Sequence, residues 1–166
     1  MRRYLIFILA SLLSSPAVYT QEIKVPETSY NYFHDIQLGV TLAFTEIGPI
    51  PLAELSTSHG ICFSERFSAG IGVSTIYFMT INPFVVGRVN LKAKDRLSKN
   101  TPYLSLKAGY MVYLVKGDSD YNSLNLEPRL GFSHLRKNGK SSWSYFISAN
   151  AFQGRVFPKI GVGFEF

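Results

Sequence analysis

The chain has 166 residues, enough for one domain with a single core. Apolar residues make up 46%, aromatics 14% and charged residues 17%, which excludes a disordered chain of low hydrophobicity and high charge. The net charge is +6, but Arg2 and Arg3 supply two of those charges, and the single Cys62 excludes an internal disulfide framework or a cysteine metal cluster.

The first predicted element is "MRRYLIFILASLLSSPAVYTQE", a basic start, an apolar run from Tyr4 to Leu13, then small and polar residues. That is the layout of a secretory signal peptide. The apolar run is shorter than the roughly 20 residues a membrane helix needs. Residues 1–20 therefore read as a leader, with cleavage after Thr20 or after Ala17, where Ser15 and Ala17 form a small-x-small site. Residues 21–33 read as a lead-in, and 34–166 as the folded domain.

From there the dominant signal is period two, the signature of strands. In "DIQLGVTLAF" Ile36, Leu38, Val40, Leu42 and Phe44 alternate with Asp35, Gln37, Gly39, Thr41 and Ala43. "PLAELSTSHGI" follows less cleanly. "FSAGIGVSTIYF" sets Phe67, Ala69, Ile71, Val73, Thr75 and Tyr77 against Ser68, Gly70, Gly72 and Ser74. "NPFVVGRVNLK" is the second less clean segment. "YLSLKAGYMVYL" puts Leu104, Leu106, Ala108, Tyr110, Val112 and Leu114 on one face, and "SLNLEPRLGF" does the same with Leu124, Leu126, Pro128, Leu130 and Phe132. "SWSYFISANAF" and "VFPKIGVGFEF" complete eight strands of about ten residues, parted by "TEIGPIP", "FSER", a poorly marked break near "MTIN", "AKDRLSKN", "KGDSDYN", "RKNGKS" and "QGR".

Alternation alone fits a soluble β-protein or a transmembrane barrel, so the polar faces decide. They are rich in Gly, Ser and Asn with few charges, whereas a soluble surface carries many more. The cations Arg88, Lys107, Arg129 and Lys159 all have the polar parity; facing lipid at mid-depth, each would cost about 2–4 kcal/mol. The expectation is an all-β, eight-stranded antiparallel up-and-down transmembrane barrel. Its narrow lumen is filled by side chains such as Tyr103, Met111, Tyr113 and Phe146. Inside it Glu54, Glu127 and Glu165 meet Arg88, Lys107, Arg129 and Lys159 as an ion-pair network.

The hairpins "HGICFSERFSAGIGV" and "PFVVGRVNLKAKDRLSKNTPYLSLKAGY", with "LEPRLGFSH" and the terminal "IGVGFEF", resemble in order and spacing the small outer-membrane barrels of Bacteroidetes, including PorT-like proteins. The resemblance covers about residues 34–166 and implies an outer-membrane protein of a Gram-negative bacterium. The alternation Ile160, Val162, Phe164, Phe166 likewise resembles the signal read by the outer-membrane insertion machinery, which makes that machinery a partner during biogenesis.

Barrels of this size also include lipid A palmitoyltransferases and deacylases, so the Ser, His and acid residues were weighed. His34 adjoins Asp35, Ser58 adjoins His59 and Ser133 adjoins His134, but strand neighbours point to opposite faces, so no adjacent pair is a dyad. With the N-terminus in the periplasm, all three histidines fall at the periplasmic rim, away from the outer leaflet. No catalytic residue, metal ligand or cofactor is expected; Asp118 and Asp120 resemble a calcium cluster only faintly. In the same frame the inner turns are basic: Lys92, Lys94, Arg96 and Lys99 in one, Arg136, Lys137 and Lys140 in another. They suit anionic headgroups of outer-membrane lipids or a periplasmic or envelope protein partner, not nucleic acid. Phe63, Phe132, Trp143, Tyr145 and Phe164 are expected in the inner aromatic girdle, and Phe44, Tyr77 and Phe157 in the outer one. The expected role is structural or envelope-assembling. The alternatives are a lipid A acyl hydrolase or transferase, and a soluble periplasmic barrel with an apolar ligand.

Overall fold

The structure, a computed structural model, describes residues 31–45, 48–92, 100–114, 122–136 and 141–166. Eight strands follow one another: β1 (Asn31–Thr45), β2 (Gly48–Cys62), β3 (Phe67–Ile76), β4 (Thr80–Asn90), β5 (Asn100–Tyr113), β6 (Ser123–Leu135), β7 (Ser142–Phe152) and β8 (Arg155–Glu165). Each pairs antiparallel with its sequence neighbours, and β1 pairs with β8, so the sheet closes into a barrel. Closure means that neither the first nor the last strand is left as a free edge. The end at which β1 begins and β8 finishes is called here the terminal rim, and the opposite end the far rim.

Three boundaries differ from the sequence reading. β1 starts at Asn31, inside the expected lead-in, because Asn31, Tyr32 and Phe33 find partners in Cys62, Ile61 and Gly60. Most of the expected turn "TEIGPIP" is strand, with Pro49 opposite Phe44 and Pro51 opposite Leu42. Proline is tolerated there because β2 meets β3 only from Glu54 onward. The carbonyl of Pro51 faces that unpaired side, where it accepts from the Tyr77 hydroxyl at 2.6 Å, so the missing N–H interrupts no ladder. The third break, expected near "MTIN", falls at Tyr77–Met79, so that Thr80, Ile81 and Asn82 are already strand. Tyr77 and Phe78 adopt left-handed φ values of 46° and 58°, rare for bulky residues, and the Tyr77 N–H is held by the Ala53 carbonyl at 3.2 Å.

Side chains alternate as the period-two pattern requires. Along β6, Asn125, Glu127, Arg129, Gly131 and Ser133 are buried while Leu124, Leu126, Leu130 and Phe132 are exposed. The outer face is apolar throughout its middle: Ile71 is 67% exposed and Ile160 63%. Charge is distributed the opposite way. Every charged residue within the strands lies on the inward parity, and of these Arg155, at the first position of β8, is exposed at the far rim.

The lumen accommodates the rings of Phe33, Phe84, Tyr103 and Phe146 by setting each across the ladder from a glycine. Phe33 faces Gly60, Phe84 faces Gly72 and Gly109, Tyr103 faces Gly131, and Phe146 faces Gly131 and Gly161. A Cβ on Gly161 would lie 2.4 Å from the Phe146 ring, and one on Gly131 2.4 Å from the Tyr103 ring. Only glycine leaves room there.

At the far rim Ile76, Met111, Phe152 and Phe157 form an apolar cluster, extended by Ala43, Leu52 and Tyr113. Phe157 is thus a lumen residue and not part of an outer aromatic girdle; it shares the inward parity of Lys159 and stacks on Phe152 with centroids 4.7 Å apart. The other expected girdle residues face outward, with Phe44 and Tyr77 at the far rim and Phe63, Phe132, Trp143 and Tyr145 toward the terminal one. Phe164 joins the latter group, packed on Trp143 at 4.9 Å.

Candidate functional site

The feature that stands apart chemically is the middle of the lumen. Lys107 on β5 reaches across the barrel, donating to Glu54 on β2 at 2.8 Å and lying 3.7 Å from Glu127 on β6. Lys159 on β8 bridges the same two carboxylates, at 2.8 Å from Glu54 and 3.2 Å from Glu127. Two lysines and two glutamates therefore alternate around a closed ring. Arg129 adds a third cation, donating from Nε to Glu127 at 2.8 Å, and the Ser148 hydroxyl donates to the same carboxylate at 2.8 Å. Glu127 is fully buried and Lys107 only 2% exposed, so neither is solvated by bulk water. Such charges persist only when paired and hydrogen-bonded.

The network continues toward the terminal rim. Arg129 also donates to Gln37 Oε1 at 2.5 Å, Gln37 donates to Asp35 at 2.5 Å, and Ser58 donates to Asp35 through its backbone N–H at 3.1 Å and its hydroxyl at 2.5 Å. One step further Arg88 pairs with Glu165 at 3.1 Å and donates to Asn90 at 3.0 Å. Aromatic faces support the cations: Arg88 lies 3.8 Å from the Tyr103 ring centroid, Lys107 4.0 Å from that of Phe84, and Arg129 4.5 Å from that of Phe146. Apart from Arg155, exposed at the far rim, the strands among the described residues thus carry four inward cations (Arg88, Lys107, Arg129, Lys159) and four inward carboxylates (Asp35, Glu54, Glu127, Glu165). The lumen is neutral as a whole.

All seven residues read from the sequence as a lumen network, Glu54, Arg88, Lys107, Glu127, Arg129, Lys159 and Glu165, lie on the lumen side. The first six and Glu165 divide into two groups, the ring and the separate Arg88–Glu165 pair. Sequence reasoning missed Asp35, Gln37 and Ser58 as members. Their inward parity was visible in "DIQLGV" and "ELSTSH", but nothing local marks which polar residues will meet.

The histidines lie outside the lumen. His34 and His59 sit directly opposite each other on β1 and β2, facing outward near the terminal rim, with their rings stacked at 4.1 Å. His34 Nε2 is 3.0 Å from the Thr57 hydroxyl, and His59 Nδ1 bonds the Tyr32 hydroxyl. His134 Nδ1 meets Asn100 at 2.7 Å, also at the terminal rim, and Ser133 on the other face donates to Ser142 at 3.1 Å. Ile160 and Val162 face outward from β8, and Phe164 and Phe166 stand edge to face at 4.8 Å. Of the basic turns, Lys92 and Arg136 are exposed at the terminal rim. Lys94, Arg96, Lys99, Lys137 and Lys140, like Asp118 and Asp120 and the whole leader, lie outside the described residues.

No protein-family model matches the chain, and no curated protein matches its sequence. Among solved structures the barrel is similar to Neisserial surface protein A, with a TM-score of 0.60 and 13% identity over 81% of this chain and 95% of that one. It is also similar to the N-terminal β-barrel domain of Pseudomonas aeruginosa OprF, with a TM-score of 0.58 and 10% identity over 82% of this chain and 99% of that one. At these identities what is shared is the fold, a closed eight-stranded antiparallel barrel.

Proposed function

We propose that this protein is an outer-membrane β-barrel with a sealed lumen and a non-catalytic role in envelope structure or assembly. One observation carries the reading: charge is inside and paired, while the apolar side chains are outside and exposed. Water as the surrounding solvent would favour the reverse arrangement; a bilayer favours this one. The two barrels it resembles in fold, a surface protein and a domain of OprF, are consistent with it. Kinship with the small PorT-like barrels of Bacteroidetes rests on the hairpin segments quoted above. A cleaved leader and an insertion signal at Ile160, Val162, Phe164 and Phe166 belong to the same proposal.

The lumen supports a sealed barrel and not an open pore. The ring of Lys107, Glu54, Lys159 and Glu127 crosses it at mid-height, and the cluster of Ile76, Met111, Phe152 and Phe157 closes the far rim. The lipid A enzyme reading has less support, because the histidines hydrogen-bond to Thr57, Tyr32 and Asn100 and stand at the terminal rim. A soluble barrel with an apolar ligand has less still, since the interior is charged. The exposed Arg66, Lys92 and Arg136 at the terminal rim suit an anionic headgroup or an acidic partner protein.

The test is electrophoresis of the membrane fraction in sodium dodecyl sulfate, with and without boiling, followed by ion leakage from vesicles holding the folded protein. A mobility shift only on boiling, with vesicles that stay tight, is expected. A protein found in the soluble fraction with no shift overturns the membrane reading; rapid leakage overturns the sealed lumen.

A further inference from the structure

The outer face is not uniform. Over β2–β5 it carries a cleft of about 720 Å³, within the range of small-ligand sites, lined by Thr57, His59, Ile71, Val73, Val85 and Ala108. It exists because short side chains, Thr57, Val73, Val85 and Ala108, face outward here, where the flanks carry Leu55, Leu104 and Leu106. Along its wall stands His59, an outward polar ring beside His34 and Thr57. The His59 ring is held by stacking on His34 and by its Nδ1 contact with Tyr32, and its Nε2 makes no hydrogen bond to a described residue. Its Nδ1 is taken up by the Tyr32 hydroxyl, which leaves Nε2 as the ring nitrogen able to meet a ligand.

A ring nitrogen at that depth is best met by a polar lipid group that reaches into the hydrocarbon boundary. The turns at the ends of β3 and β4 add charge of the right sign. The Asn90 N–H donates to the Arg66 carbonyl at 2.7 Å, which brings the β2–β3 turn beside the end of β4, so the exposed Arg66 and Lys92 stand close together at the same rim. The exposed Glu65 is the one carboxylate there among the described residues.

We propose that this cleft is a specific site for one glycerophospholipid with an anionic headgroup, drawn from the leaflet at the terminal rim. An acyl chain lies along Val73, Val85 and Ala108, the ester or phosphate oxygens accept from His59 Nε2, and Arg66 and Lys92 select the headgroup charge. The site rests on the membrane reading above, and its test separates the two.

Folded protein in non-ionic detergent is titrated with phosphatidylglycerol and, separately, phosphatidylcholine, and bound lipid is counted by native mass spectrometry. Each variant is first checked for its boiling-dependent mobility shift. The wild type is expected to retain one phosphatidylglycerol roughly tenfold better than phosphatidylcholine, as two nearby cations favour an anionic lipid. His59→Leu and Val85→Trp should abolish that preference, while Ile147→Trp on the opposite face should preserve it. Equal retention of the two lipids, or loss of the preference in Ile147→Trp as well, overturns the site while the mobility shift leaves the membrane reading standing. A dimer peak that disappears in Val85→Trp, without lipid selectivity, assigns the cleft to a second copy of the chain and likewise overturns it. Absence of the shift in the wild type removes the membrane reading itself.

Discussion

The lumen has two polar levels that solve burial differently. At mid-height Glu54, Lys107, Glu127, Arg129 and Lys159 are all buried and each is ion-paired, with a single nitrogen, Arg129 Nη2, left unbonded. Immediately toward the far rim lie Thr41, Asn82, Asn125 and Asn150, where the Thr41 hydroxyl, the side-chain carbonyls of Asn82 and Asn125, and both amide atoms of Asn150 have no hydrogen-bond partner. An unpaired neutral polar atom costs about 1–3 kcal/mol, whereas an unpaired buried charge costs several times more. The difference teaches which level had to be fixed by geometry. Charged side chains dictate register and partner choice across the barrel; amides one step away are left where the packing puts them.

Removing one member of the charged level should break this contrast most forcefully. Glu127 answers three cations, so Glu127→Gln leaves Lys107, Lys159 and Arg129 sharing the single carboxylate of Glu54. A loss of about 3–5 kcal/mol is expected, read by urea unfolding in vesicles and by a lower boiling threshold in detergent. A loss below about 1 kcal/mol would mean that water, and not the ring, neutralises these groups.

The comparison is sharpened by a glycine that serves the charged level. Phe146 lies across from Gly161 and beneath Arg129, with Lys159 5.9 Å from its ring centroid. Gly161→Ala forces that ring aside and should cost about 1–3 kcal/mol as an overpacking defect. Combining it with Phe146→Leu should restore part of the loss, because the two changes occupy the same space. Additive losses would show that the ring is not what Gly161 accommodates.

Much of this was legible in the chain because period two fixes which face a residue takes. Lys107 and Glu127 could be assigned inward from "LSLKAGY" and "LNLEPRL" alone. Their partners could not be. Lys107 reaches Glu54 from a strand three positions around the barrel, and that meeting depends on the stagger of all the strands between. The glycine sockets were hidden for the same reason: Gly131 matters because it lies between Tyr103 and Phe146, a fact of register and not of composition. Phe157 shows the opposite failure. Its parity with Lys159 already placed it inward, but its nearness to a strand end suggested an aromatic girdle; the apolar cluster at the far rim claimed it instead.

The smallest expected effect tests the amide level directly. Asn150 is fully buried with neither amide atom bonded, opposite Phe157 and one step from Lys159. Leucine shares the branch point of asparagine and is somewhat bulkier, so Asn150→Leu removes two unsatisfied polar atoms without opening a cavity. Stability should change by less than about 1 kcal/mol, with any change in the stabilising direction. That outcome, beside the large loss in Glu127→Gln, would make the charged ring the level that specifies the barrel and the amide level a tolerated filling. A loss above about 2 kcal/mol would show instead that the amide is bonded in solution, which inside this lumen requires water, and the sealed interior would then have to be redrawn as a hydrated one.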